Sequence, residues 1–286
     1  MNESYSTEKT SLIDPSQRAN FFVGGLPKSD AALCAQMSWL TYCRSGYDFS
    51  FDKEKIRTTL KRVGFAVDNR FWESQGQPQG TGTHSFLALG KHPITQEEIA
   101  VLAFRGADPG HFELLLDDKM AILEPWDFGG RVGRLFNVYL LEVWENMLST
   151  LLSIHHTLFM TGHGLGAALA TLMASVRTPA ALYTFGSPKV GDADFAASLA
   201  HLKSYRYVNC CDLVPQTPQK NSDFVHLGKP WYIDSNRKVT FDPQNIGNDQ
   251  FQAAIRYKTN ESWKSGNLPD REAADHCPIN YVTAII

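Results

Sequence analysis

The chain has 286 residues, 43% of them hydrophobic and 20% charged, with a formal net charge of -3. That balance can bury a real core and fits one large α/β domain or two small ones, and nothing in it asks for nucleic acid or an anionic membrane as partner. The five cysteines, Cys34, Cys43, Cys210, Cys211 and Cys277, have no C-x-x-C spacing, so zinc is not implied. They read as free thiols in a reducing compartment, and the vicinal pair Cys210–Cys211 is not expected to bond internally.

Residues 1–22 are polar and are expected to be loosely ordered, followed by a single domain over 23–286. Neither a signal peptide nor an apolar run of the ~18 residues needed to cross a bilayer is found, so a cytoplasmic location is expected, with leaderless secretion left open. Ser29-Asp30 precedes apolar Leu33, Met37 and Leu40, a capped helix, and Asp52 to Val63 reads as a second. Arg70 to Trp72 and Ser85 to Leu89 read as strands around a Gly/Gln-rich turn. Ile99 to Phe104 is the apolar run of a buried strand, and Phe136 to Ile154 reads as one long amphipathic helix. Strand Thr157 to Met160 leads through Gly162 into helix Leu165 to Ser175. Strand Ala180 to Phe185, helix Phe195 to Leu202 and strand Tyr205 to Asn209 follow. Phe224 to Asp234 reads as two short strands and Arg271 to Ile286 as a closing helix. Strands alternating with helices predict a mostly parallel central sheet flanked by helices.

The stretch Met160-Thr161-Gly162-His163-Gly164-Leu165-Gly166-Ala167 carries small residues at alternate positions between a strand and a helix. Two site types have that pattern. In the hydrolase turn G-x-S-x-G, the middle residue holds a strained backbone and lifts a hydroxyl above the sheet; here that residue is Gly164. The dinucleotide fingerprint G-x-G-x-x-A also fits formally, but it needs an acidic residue ~20 positions on. The next strand runs into Gly186-Ser187-Pro188-Lys189 with no such acid. A plain glycine turn is the third reading.

Several further segments, in order, resemble the class 3 (fungal-type) lipase family, which has the α/β-hydrolase fold. Phe104-Arg105-Gly106 resembles F-R-G-S/T, and Thr161 to Ala170 resembles T-G-H-S-L-G-G-A-L-A. Thr184 to Gly191 resembles T-F-G-x-P-R-V-G, Val208 to Pro215 resembles V-N-x-x-D-x-V-P, and Asp275-His276 with Tyr281 resembles the closing D-H…Y. The resemblance covers roughly residues 30 to 286 and implies a carboxylic ester hydrolase without cofactor or metal, acting on a hydrophobic acyl ester. It implies Asp212 as the acid that orients the base, His276 as the base, and the N–H groups of Ala107 and Leu165 as the oxyanion donors.

The chain departs from the family's pattern at Gly164, where serine is expected, and at Ala107, where a hydroxyl residue is expected. It also departs at Gly130 to Phe136, where relatives carry a histidine in V-H-x-G-F. Competing assignments are Asp192 as the acid, His226 as the base, and Cys277 as a substitute nucleophile. Their plainer readings are a helix cap, a structural histidine and a core thiol. His163 is expected to pack beneath the turn. Three functional readings stay open: an ester hydrolase silenced by an introduced change, a natural lipid- or protein-binding pseudoenzyme, and a non-hydrolytic acid–base enzyme using His276 and Asp212. Residues 108–133 fall where the family has its lid, with Phe112, Leu114, Leu115, Leu116, Ile122, Leu123, Trp126 and Phe128 giving an apolar cover. Oligomeric state is not encoded in any pattern found.

Overall fold

A computed structural model describes residues 5–8, 21–22, 25–44, 50–74, 83–107, 121–219 and 223–286. Helix α1 (Asp30–Leu40) and helix α2 (Lys53–Arg62) precede strands β1 (Phe71–Glu73), β2 (His84–Lys91) and β3 (Glu98–Phe104). A hairpin of β4 (Leu123–Pro125) and β5 (Arg131–Gly133) leads into α3 (Arg134–Leu141) and α4 (Trp144–Ser153). The central run is β6 (Thr157–His163), α5 (Leu165–Val176), β7 (Ala181–Phe185), α6 (Ala193–Ser198) and β8 (Ser204–Asn209). Strands β9 (Pro230–Ile233) and β10 (Val239–Phe241) and helices α7 (Gly247–Asn260), α8 (Arg271–His276) and α9 (Pro278–Ile285) close the chain.

The 8-stranded sheet has the order β1-β2-β3-β6-β7-β8-β9-β10. Pairings from β3 to β9 are parallel, and β1–β2, β2–β3 and β9–β10 are antiparallel. Strand alternation divides the core in two. In β3, Ile99, Val101 and Ala103 face the core shared with α1, α2 and α9, whereas Ala100, Leu102 and Phe104 face the core shared with α3, α4 and α5. Both faces are covered, so the strand is apolar along its length, as expected of a buried parallel strand. The carboxyl ends of β6, β7 and β8, where open α/β sheets gather function, carry Gly164, Gly186 and Asp212.

Several elements differ from the sequence expectation. The predicted helix over 136–154 is two helices. Thr83 Oγ1 donates to the Tyr139 carbonyl at 2.5 Å, and the Val143 N–H turns instead to Leu140, which breaks the ladder. The closing helix is also divided, because Pro278 excludes helical backbone at Cys277 (φ -66, ψ 135). Residues 224–234 hold one strand, β9, and its partner β10 lies beyond them. Helix α7 had no expectation: Phe251 and Ile255 are exposed, and only Ala253 and Tyr257 are buried, so no apolar stripe marks it.

Two described parts of the N-terminal segment have defined surroundings. Ser6 N–H donates to Asn280 Oδ1, and Phe21 and Phe22 are buried in the first core. The remainder of 9–20 lies outside the described residues. So do 108–120, with Phe112, Leu114, Leu115 and Leu116 of the expected cover. The described part of that cover is the β4–β5 hairpin, pinned by Trp126 Nε1 donating to Ser175 Oγ at 2.9 Å. Among the described residues, no helix is long and apolar enough to cross a membrane.

Candidate active site

The turn between β6 and α5 is built on close backbone approach. A Cβ at Gly162 would meet the Gly166 carbonyl at 2.2 Å, and one at Gly166 would meet the Phe104 carbonyl at 2.3 Å. No side chain fits at either place. Between them Gly164 holds φ 56 and ψ -122, a sharp reversal that strains any residue with a Cβ. Its N–H donates to the Phe185 carbonyl at 2.9 Å, tying the turn to β7. Gly106 is pressed against the same turn, where a Cβ would meet His163 O at 2.4 Å. Ala107 and Leu165 follow these contacts and pack into one apolar cluster. The first N–H groups of α5 lie at this turn, at the positive end of the helix.

The next residues to converge are Asp212 and His276. Asp212 follows β8 and is 1% exposed. His276 Nδ1 lies 3.0 Å from both Asp212 carboxylate oxygens. Tyr281 OH donates to Asp212 Oδ2, and Val214 N–H donates to Oδ1 at 2.9 Å. Three donors on one carboxylate fix its orientation. The acceptor role of Asp212 places the imidazole proton on Nδ1, so that Nε2, on the far edge of the ring, is basic in the neutral form.

Gly186 makes this pairing possible. It holds φ +60, and a Cβ there would meet Asp212 Oδ2 at 2.8 Å and His276 Nδ1 at 3.2 Å. The Asn209 side chain donates to the Asp275 carbonyl at 2.9 Å, and its N–H donates to Tyr281 OH at 3.1 Å. Asn209 thus ties the end of β8 to the helix that carries His276.

His163 lies beneath the turn, 2% exposed, with its ring centroid 4.6 Å from that of His276. Its Nε2 donates to the His276 carbonyl at 2.6 Å, so Nδ1 accepts from Tyr42 OH at 2.7 Å. Burial, and then the positive charge available to His276, hold its pKa well below the ordinary value. A histidine kept neutral with both nitrogens occupied serves as a strut between α1's end, the turn and α8.

The competing residues have other work. Asp192 caps α6, accepting from Phe195 N–H at 3.0 Å, and pairs with Arg131. His226 Nε2 donates to the Pro215 carbonyl at 2.7 Å. Cys277 Sγ donates to the Ala273 carbonyl, and burial followed by the charges of Asp212 and Asp275 pushes its thiol pKa up, so it stays protonated. All five cysteines are free and buried. Cys210, Cys211 and Asp275 have metal-ligand spacing among the described residues. Asp275, however, is engaged by Arg271 Nε at 3.0 Å, Cys211 N–H at 2.9 Å and Tyr5 OH at 2.8 Å, and the arrangement implies no ion.

Asn209, Gly186 and Tyr42 were not foreseen as site residues. Asn209 and Gly186 lay inside quoted motifs, so position was the available signal. Tyr42 is 121 residues from His163 in sequence and carried none.

Residues 101–222 match the family described as Lipase (class 3). The chain is 33% identical over 98 residues to the secreted mono- and diacylglycerol lipase A of Penicillium cyclopium, covering 32% of each protein. It is 35% identical over 92 residues to a lipase of Rhizomucor miehei, covering 28% of this chain and 25% of the relative. The chain spans about a third of the length of the first of these curated relatives and a quarter of the second. Among solved structures, the mono- and diacylglycerol lipase of Aspergillus oryzae superposes with a TM-score of 0.61 over 87% of this chain and 96% of the other, at 21% identity. The chain thus shares the α/β-hydrolase fold of fungal lipase structures, and its stretch from β3 through the turn to Asp212 is similar to the class 3 lipase family.

Proposed function

We propose that the chain is a carboxylic ester hydrolase scaffold for a hydrophobic acyl ester, with Gly164 in the nucleophile position. Asp212 is the orienting acid and His276 the general base, and the N–H groups of Ala107 and Leu165 are the oxyanion donors. The observation that carries this reading is the pairing of two features: the strained strand-to-helix turn at Gly164 and the His276–Asp212 pair held by Tyr281. A hydroxyl at 164 would pass its proton to His276 Nε2 and attack the acyl carbon, while the donors at the turn receive the oxyanion. The relatives named as mono- and diacylglycerol lipases and phospholipases A1 support a glycerolipid acyl ester.

Chemistry at the site is limited by what is absent from the sequence. Positions 164 and 107 carry no hydroxyl. This favours a second reading, in which an acyl ligand is bound without being turned over, or in which His276 and Asp212 act as a proton-transfer pair on another reaction. The five buried thiols support the proposed cytoplasmic location, which fractionation of tagged protein would check.

Hydrolysis of short- and medium-chain nitrophenyl esters tests the first reading, using the chain, Gly164→Ser, and Gly164→Ser with His276→Ala. Gly164→Ser is expected to exceed the parent by on the order of 10³-fold or more, with the gain lost in the double variant. No gain from Gly164→Ser in a folded protein would move the binding reading ahead.

A further inference from the structure

Beside Asp212 lies a cavity. On the face of β8 and β9 covered by α7, a pocket of about 320 Å³ is lined by Arg206, Val208, Pro215, His226, Tyr232 and Ile246, among others. Arg206 is 7% exposed and projects from the middle of β8. Its Nε is buried with no hydrogen-bond partner, and Nη2 has one long contact, 3.4 Å to the Gly228 carbonyl. Among the described residues it forms no ion pair. Asp212 also borders the pocket, but its carboxylate is occupied by His276, Tyr281 and Val214.

A guanidinium buried this far is ordinarily paired, because burial strips its hydration and nothing else replaces it. The field of the unpaired charge is felt across the pocket. Burial and then Arg206 hold the His226 imidazole down to about 3. Burial lowers Arg206 itself only to about 10, so it remains a cation at neutral pH. Half of the other lining residues are apolar (Val208, Pro215, Pro230, Pro243, Ile246), with Gln216 and Gln250 beside them, and the volume exceeds what a bare oxyanion fills.

We propose that this cavity binds an amphiphile with an oxyanion headgroup, a medium-chain carboxylate or phosphate monoester. The Arg206 guanidinium takes the headgroup in a two-point hydrogen bond and the apolar wall takes the chain. Guanidinium is suited to this because its fork matches the spacing of carboxylate and phosphate oxygens. The site is separate from the hydrolase reading and requires no turnover.

Calorimetric titration of the full chain with octanoate, octyl phosphate and inorganic phosphate tests it. One-to-one binding of octanoate or octyl phosphate is expected, and which of the two binds identifies the headgroup. Arg206→Gln should weaken that binding about ten- to hundredfold, and Arg206→Lys by less. Ile246→Phe, which narrows the cavity without touching the arginine, should weaken it too. Absence of binding by both amphiphiles overturns the proposal, as does unchanged affinity in Arg206→Gln. Inorganic phosphate binding as tightly as octyl phosphate overturns the amphiphile assignment. Should Arg206→Gln not fold, full affinity in Ile246→Phe overturns the site.

Discussion

Individual glycines carry much of the chemistry of this chain. Gly186 is required twice over, by its positive φ and by the 2.8 Å approach of Asp212 to where a Cβ would stand. Gly186→Ala is expected to destabilise the fold by about 1–3 kcal/mol and to abolish any esterase activity gained by Gly164→Ser; urea melts and the ester assay check both. Gly164→Ser has a similar origin of cost and an opposite functional sign. Its φ of 56 and ψ of -122 suit glycine, so serine there should lower stability by about 1–3 kcal/mol while supplying the missing hydroxyl. A gain of activity with no loss of stability would mean that the turn relaxes when a side chain is present. The identity of residue 164 was plain in the sequence; its backbone conformation was readable only as a family expectation, because φ and ψ follow from the strand and helix on either side.

At the scale of elements, the site depends on how α8 and α9 are anchored. Pro278 breaks the helix after His276, which frees the His276 carbonyl for His163 and turns its ring toward Asp212. The N-terminal segment holds the same helix from the other side. Tyr5 OH donates to Asp275 Oδ1 at 2.8 Å, its ring lies 5.3 and 5.4 Å from the Arg237 and Arg271 guanidiniums, and Thr7 accepts from Leu268 N–H. Tyr5→Phe leaves one oxygen of a fully buried carboxylate without that donor. It is expected to cost about 1–3 kcal/mol and to speed amide exchange in 271–285 more than in β3. Uniform acceleration across the sheet would instead place Tyr5 in the global core. Composition carries no sign of this docking, because residues 5–8 are held by hydrogen bonds to distant partners and not by apolar burial. The broken helix over 134–153 teaches the same lesson, since Thr83, which interrupts it, is more than 50 residues away.

Across the whole molecule, two histidines, the buried His163 and the half-buried His226, link stability to pH. His163 and His226 have folded pKa values below the ordinary histidine value, the second at about 3, in both cases mainly from burial. The unfolded chain therefore binds more protons than the folded one once pH drops below about 6.5. Stability from these groups is present above that pH and is lost as pH falls toward the folded values. Its slope approaches about 1.4 kcal/mol per pH unit for each histidine in that window. Denaturant melts between pH 7 and 5 check this: His226→Gln should flatten the slope by about one histidine's share, and an unchanged slope would assign the pH dependence elsewhere. The same molecule-wide packing brings together the proposed acid and base. Asp212 and His276 are 64 residues apart, and they meet because β8 and α8 end at one edge of the sheet.

The sequence by itself determined the alternation that makes a parallel sheet, the small-residue turn after β6, and the order of Asp212 and His276 along the chain. These are local or periodic properties, set by side-chain volume and by the faces that strands and helices present. Tertiary structure alone decided the break at Val143, the Tyr42–His163 strut, the docking of Tyr5 and the unpaired state of Arg206. Each of these depends on which groups meet across the sheet, and one-dimensional spacing carries no information about that meeting.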